Sequence, residues 1–110
     1  LQLLDNMVKI TEAQVIAALK NVFDPEISIN IYDLGLVYKI KIDGSNVHID
    51  FSLTYPGCPL EPEIRSQIMT EVGKIPNLKQ LIAELVWEPA WNEERMTKEG
   101  KEMIKYIRGF

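Results

Sequence analysis

At 110 residues, with 46% hydrophobic and 25% charged side chains, the chain suits one soluble globular domain, residues 1–110, with its own core. Twelve basic against sixteen acidic residues give a formal charge of −4, which disfavours a sequence-independent grip on nucleic acid, and no run approaches the roughly 18 apolar residues that span a bilayer. A single cysteine excludes an intramolecular disulfide, and with no secretory-signal pattern in view a reducing, cytoplasmic setting is expected.

Leu1 to Lys9 carries no clear period and is expected to be peripheral or poorly ordered. Thr11 and Gln14 stand at capping-box spacing, Ile10 and Val15 at hydrophobic-staple positions, and Val15, Ile16, Leu19, Val22 and Phe23 form a helical apolar stripe. This first helix should end between Asn21 and Asp24, because Pro25 disfavours the helical region for the residue before it.

Leu36 to Ile42 alternates as a strand, with Leu36, Tyr38, Ile40 and Ile42 expected on one face and Val37, Lys39 and Lys41 on the other. Asp43-Gly44-Ser45-Asn46 has turn chemistry, and Val47, Ile49, Phe51 and Leu53 then alternate with His48, Asp50 and Ser52, predicting an antiparallel hairpin. From Leu60 the period becomes helical, with Leu60, Ile64, Ile68, Met69, Val72 and Ile75 sharing a face and Pro62 in the first turn. Gly73 and Pro76 end that helix. Leu81 to Trp87 reads as a third strand, parallel to the second because a helix joins them. Asn92 or Thr97 can cap a last helix whose stripe is Met103, Ile104 and Ile107, and Gly100 should weaken it. The pattern defines an α+β fold in the order helix, strand, strand, helix, strand, helix: a three-stranded mixed sheet with helices on one face. The strand order expected is two, one, three.

Chemistry concentrates at Thr54-Tyr55-Pro56-Gly57-Cys58-Pro59, where a strand hands over to a helix. Pro56 and Gly57 can turn sharply, Thr54 and Pro59 frame the turn, and the sulfur of Cys58 then lies near orphan helix amides that favour a thiolate. Glu61 and Glu63 in the same first turn push the other way. The bland alternative is a small buried hydrophobe at a tight turn. One thiolate and one imidazole, His48, fall short of a four-ligand zinc or iron-sulfur site, so any metal at Cys58 must be shared with another chain or thiol. His48 itself reads as a solvated or interface histidine on the outer strand face. Nothing in the spacing places it at the sulfur as a catalytic base, and no catalytic residue is assigned. Asp24, Glu26 and Asp33 cluster before the hairpin, each with a capping or solvated role as its plain reading. Trp87, Pro89 and Trp91 put two large aromatics beside a rigid proline, either as packing under a loop or as a partner surface made by Trp91 and Pro89.

Four segments in order carry a resemblance: Asp24-Pro25-Glu26, Ile31-Tyr32-Asp33-Leu34-Gly35-Leu36-Val37-Tyr38, Thr54-Tyr55-Pro56-Gly57-Cys58-Pro59 and Trp87-Glu88-Pro89-Ala90-Trp91. Together they resemble the small iron-sulfur cluster assembly domain of SufT-like and PaaD-like proteins and cytosolic iron-sulfur targeting factors, over about Thr11 to Arg108. Where the family often has further prolines around the second tryptophan, this chain has Ala90 before it and Asn92-Glu93 after it. The resemblance implies an accessory factor in iron-sulfur cluster assembly or maturation, not an enzyme. Cys58 maps onto the family's cysteine, and Asp24, Glu26 and Asp33 onto its acidic motif. It further implies a transient cluster that one chain does not hold alone, and scaffold proteins, client proteins or a second copy as partners. Neither nucleic acid nor membrane is expected. The alternatives are a metal-free interaction adaptor, including a PaaD-like role in oxygenase assembly, and a cysteine-dependent enzyme.

Overall fold

The computed structural model describes residues 9–108; residues 1–8, on which the expectation of a peripheral leader falls, lie outside them. Helix α1 spans Glu12–Leu19, and its N-terminus is the capping box read from the sequence: the Gln14 amide donates to the Thr11 hydroxyl, and Gln14 accepts from the Thr11 amide. The helix stops earlier than its stripe suggests. Two tight turns, from the Asn21 and Val22 amides to the Ala18 and Leu19 carbonyls, carry the chain onward and bury Val22. Phe23, expected in the stripe, is exposed.

Strands β1 (Val37–Asp43) and β2 (Asn46–Phe51) form the antiparallel hairpin, closed at Gly44 and Ser45. After helix α2 (Glu61–Gly73), strand β3 (Gln80–Leu85) runs parallel to β2, and a short 3-10 turn (Glu93–Arg95) leads to helix α3 (Lys98–Ile107). The sheet order is β1-β2-β3, so the expectation of β1 in the centre is corrected. The crossover through α2 returns to the free edge of β2, where Phe51 meets Leu85 and Ile49 meets Ala83 in one register. Amides flanking the ladder extend it: Lys79 donates to Ser45 and Val86 to Phe51.

Helices α1 and α2 cover one face. Val47, Ile49, Phe51 and Ala83 from the sheet meet Val15 and Leu19 from α1 and Ile64, Ile68 and Val72 from α2 in one core. Burying each large aliphatic side chain contributes about 1.5–3 kcal/mol. Met69, assigned to the buried stripe, is instead exposed, since it lies one position off the Ile64, Ile68 and Val72 row. A bulge at Tyr38 corrects the face assignment in β1: Val37 pairs with Phe51 and Lys39 with Asp50, so Val37 joins Ile40 and Ile42 against the core. Tyr38 turns out of the ladder, donates to the Pro89 carbonyl at 2.8 Å and lies under the Arg95 guanidinium. The opposite face of the sheet carries Lys39, Lys41, His48, Asp50, Ile82 and Glu84, and among the described residues neither α1 nor α2 covers it.

Both proposed caps exist: Asn92 caps the 3-10 turn, and Thr97 accepts from the Gly100 amide at the start of α3. Met103 and Ile104 pack at the margin of the core, whereas Ile107 is exposed. Gly100 is no weakness. It is buried, and a Cβ there would stand 2.2 Å from the Asp33 carbonyl oxygen, so its lack of a side chain is what lets α3 dock. Among the described residues no helix is long and apolar enough to cross a membrane.

Candidate functional site

After β2 the chain continues through buried Ser52 and Leu53, the Ser52 amide donating to the Leu36 carbonyl at 2.8 Å. The chain then reverses at Pro56-Gly57, with Gly57 at φ 82°, a left-handed value that suits glycine behind a proline in a tight turn. Cys58 follows two residues before the α2 N-cap, Leu60. It is 8% exposed and belongs to the hydrophobic core, so the sulfur lies at the rim of the core and not on an open surface.

The acidic loop before β1 is held by its own bonds and by α2. Asp24 is buried, and its carboxylate accepts from the amides of Glu26 at 2.8 Å and Ile27 at 3.3 Å, closing a side-chain turn around Pro25. A small antiparallel bridge between Phe23 and Asn30 closes the loop behind it. Gln67 from the middle of α2 fastens that loop at both backbone groups of one residue: it accepts from the Phe23 amide and donates to the Phe23 carbonyl, each at 3.0 Å. The helix that follows Cys58 therefore also carries the acids.

Tyr55 reports the resulting proximity. Its phenol is held above the ordinary value of 10.0, first by the Glu26 carboxylate, then by Cys58, with partial desolvation, a side-chain hydrogen bond to Cys58 and Asp24 adding in the same direction. Tyr55 thus senses both the acidic loop and the cysteine. Tyr55 was not singled out from the sequence; an aromatic ring wedged between Thr54 and Pro56 beside the only cysteine was the signal.

Asp33 stands apart from this group. Its carboxylate accepts from Asn30 Nδ2 at 2.8 Å and from the Thr97 hydroxyl at 2.7 Å, and its carbonyl accepts from the Thr97 amide at 3.0 Å. Those bonds tie the turn before β1 to the start of α3. Trp91 and Pro89 divide between structure and surface. Trp91 donates to the Leu34 carbonyl at 2.6 Å, and the Pro89 carbonyl accepts from Tyr38. Trp91 also joins Trp87, Glu88 and Ala90 in walling a cleft of about 300 Å³ whose other wall is Leu53, Thr54, Tyr55 and Pro56. The cleft opens beside the cysteine turn. A slightly larger hollow of about 340 Å³ between α1 and the end of α2 shares no lining residue with it and holds none of the chemistry-bearing group.

One thiol per chain supplies one soft ligand, so these residues cannot close a cluster by themselves. The arrangement can present a sulfur in a rigid turn whose Tyr55 also walls an aromatic cleft. A small mixed sheet with this cysteine turn defines the class.

Comparison with known proteins places the chain within that class. Residues 12–83 match the family profile described as iron-sulfur cluster assembly protein, and the chain belongs to that family. The matched span includes Asp24, Glu26, Asp33 and Cys58 and ends before the Trp87 to Trp91 loop. The chain is 40% identical over 81 residues to the Fe-S protein maturation auxiliary factor SufT of Staphylococcus aureus, covering 73% of this chain and 92% of that one. It is 35% identical over 88 residues to the auxiliary factor YitW of Bacillus subtilis, covering 79% and 86%. The solved structure of a conserved hypothetical protein of Thermotoga maritima superposes with a TM-score of 0.76 at 37% identity, over 93% of this chain and 97% of that one.

Proposed function

We propose that the chain is a cytoplasmic accessory factor in iron-sulfur cluster assembly or in the maturation of iron-sulfur proteins. Cys58 contributes one thiolate to a labile cluster completed by another molecule, or to a contact with a client. The cluster is cargo on this reading, and the chain turns over no small substrate. The observation that carries it is the position of the sole thiol, 8% exposed, in the turn whose Thr54, Tyr55 and Pro56 wall a cleft of about 300 Å³. Names of the related proteins point the same way.

A sulfur that is 8% exposed must be reached by a partner that shifts the turn, which suits transient hand-over better than storage. Pro56, Gly57 and Pro59 fix the backbone on either side of the sulfur, and Thr54 shares the cleft wall. Asp24 shapes the acidic loop, Glu26 faces solvent beside Tyr55, and Asp33 holds the scaffold. The missing ligands come from a scaffold, a client or a second copy of this chain, with neither nucleic acid nor membrane involved. Anaerobic reconstitution with iron and sulfide, read by visible absorption of wild type and Cys58→Ser, tests this: wild type develops charge-transfer bands and the variant does not. Equal spectra remove Cys58 from the mechanism.

A metal-free docking adaptor is the second reading, favoured by Trp87, which is 38% exposed on the cleft wall. It predicts that client capture without metal survives Cys58→Ala and is lost in Trp87→Ala. Trp87 suits this test better than Trp91, whose indole is already bonded to Leu34.

A further inference from the structure

On the face of the sheet opposite α1 and α2, three side chains converge. His48 and Asp50 lie two apart on β2 and so share a face, and Glu84 is the register partner of Asp50 on β3. His48 Nε2 is 2.9 Å from Asp50 Oδ1 and 3.3 Å from Glu84 Oε1, and all three donor atoms fit within 4.8 Å of one another.

We propose that His48, Asp50 and Glu84 form a binding site for a divalent first-row cation of the zinc type. Two spacings match: with metal–ligand bonds of about 2.1 Å, neighbouring donors of an octahedral or tetrahedral ion lie roughly 3.0 or 3.4 Å apart, against 2.9 and 3.3 Å from Nε2 to the two carboxylates. A single ring nitrogen faces two carboxylates at once, and one N–H can serve only one of them well, whereas a cation at the centre serves all three donors. Charge agrees too, since a neutral imidazole and two carboxylates offset a doubly charged ion, and one nitrogen with two oxygens suits a borderline metal. The side chains are 33%, 23% and 60% exposed, which leaves the remaining coordination positions to water or to a ligand from another molecule. Lys41 and Lys39 are the β1 register partners of His48 and Asp50 and oppose the cation. Among the described residues neither lysine forms an ion pair with Asp50 or Glu84, so the carboxylates are free to turn to a metal.

The test is a Zn²⁺ titration of the full chain carrying Cys58→Ser, which silences the thiol, by calorimetry and by NMR of the ring of His48, the only histidine. The expected result is one ion per chain, with the His48 ring signals shifting as it binds. Glu84→Gln and Asp50→Asn should each weaken binding by about tenfold or more, and Lys41→Ala should strengthen it. All three positions are partly exposed on a sheet face, so the variants keep the fold, which circular dichroism checks. Unmoved His48 signals under saturating Zn²⁺ overturn the proposal, and so does an affinity indifferent to Glu84→Gln, which reduces the site to a lone imidazole.

Discussion

Substituting Gly100 by alanine separates two opposed forces. In an exposed helix the change would stabilise by about 1 kcal/mol through propensity alone. Here the new Cβ would lie 2.2 Å from the Asp33 carbonyl oxygen and 2.9 Å from its carbon, both backbone atoms that cannot rotate aside. Restoring ordinary contact requires α3 to retreat by roughly 1 Å. That retreat strains the two bonds that dock it, Thr97 Oγ1 to the Asp33 carboxylate at 2.7 Å and the Thr97 amide to the Asp33 carbonyl at 3.0 Å. Overpacking of this kind costs about 1–3 kcal/mol and each weakened bond about 1 kcal/mol more, so the contact outweighs the propensity gain. Gly100→Ala is expected to destabilise by about 2–4 kcal/mol, a fall in Tm of roughly 10–20 °C. Urea and thermal unfolding measure it, with Gly73→Ala as the control, because a Cβ at that helical position meets nothing within 4 Å. If Gly100→Ala proves as stable as wild type while Gly73→Ala gains stability, the docking of α3 on Asp33 is wrong.

Two further outcomes follow from the site. Glu26→Gln removes the largest influence on Tyr55 and should lower its titration, followed by NMR of the Tyr55 ring against pH. Because the folded phenol titrates above its unfolded value, the stability it contributes is complete below about pH 10 and is lost as pH rises through the folded value; Glu26→Gln narrows that alkaline loss. An unmoved Tyr55 would place Glu26 away from the cysteine turn. Gln67→Ala deletes both bonds to Phe23 and should cost about 1–2 kcal/mol, with faster amide exchange between Phe23 and Asn30. Unchanged exchange there would show that the acidic loop holds itself.

The elements were legible because their periods are clean: the capping box at Thr11, the alternation of Val47 to Leu53 and the Ile64, Ile68, Val72 row each specify one local structure and one buried face. What escaped lies in contacts between distant segments. A bulge at Tyr38 leaves no mark on a hydropathy pattern, yet it reverses the face of Val37. Gly100 looks unfavourable in a helix until the Asp33 carbonyl, 67 positions upstream, is seen against it. Sheet order depended on which edge of β2 was free, which no local signal encodes. At the site, Cys58 and its turn could be read from sequence because proline and glycine announce a rigid corner. The joining of that corner to Asp24 and Glu26 through Gln67, and the service of Asp33 elsewhere, needed three dimensions.

Activation of an apo iron-sulfur client tests the central claim most directly. The folded protein, its Cys58→Ser variant and a no-protein control are each incubated anaerobically with a cluster source and the apo client, and client activity is followed in time. Serine replaces sulfur by oxygen at a rim position with little change of volume, so circular dichroism should match between the two proteins. The account predicts faster client activation with wild type than without it, and none of that acceleration with Cys58→Ser. Equal acceleration by the two proteins would contradict it.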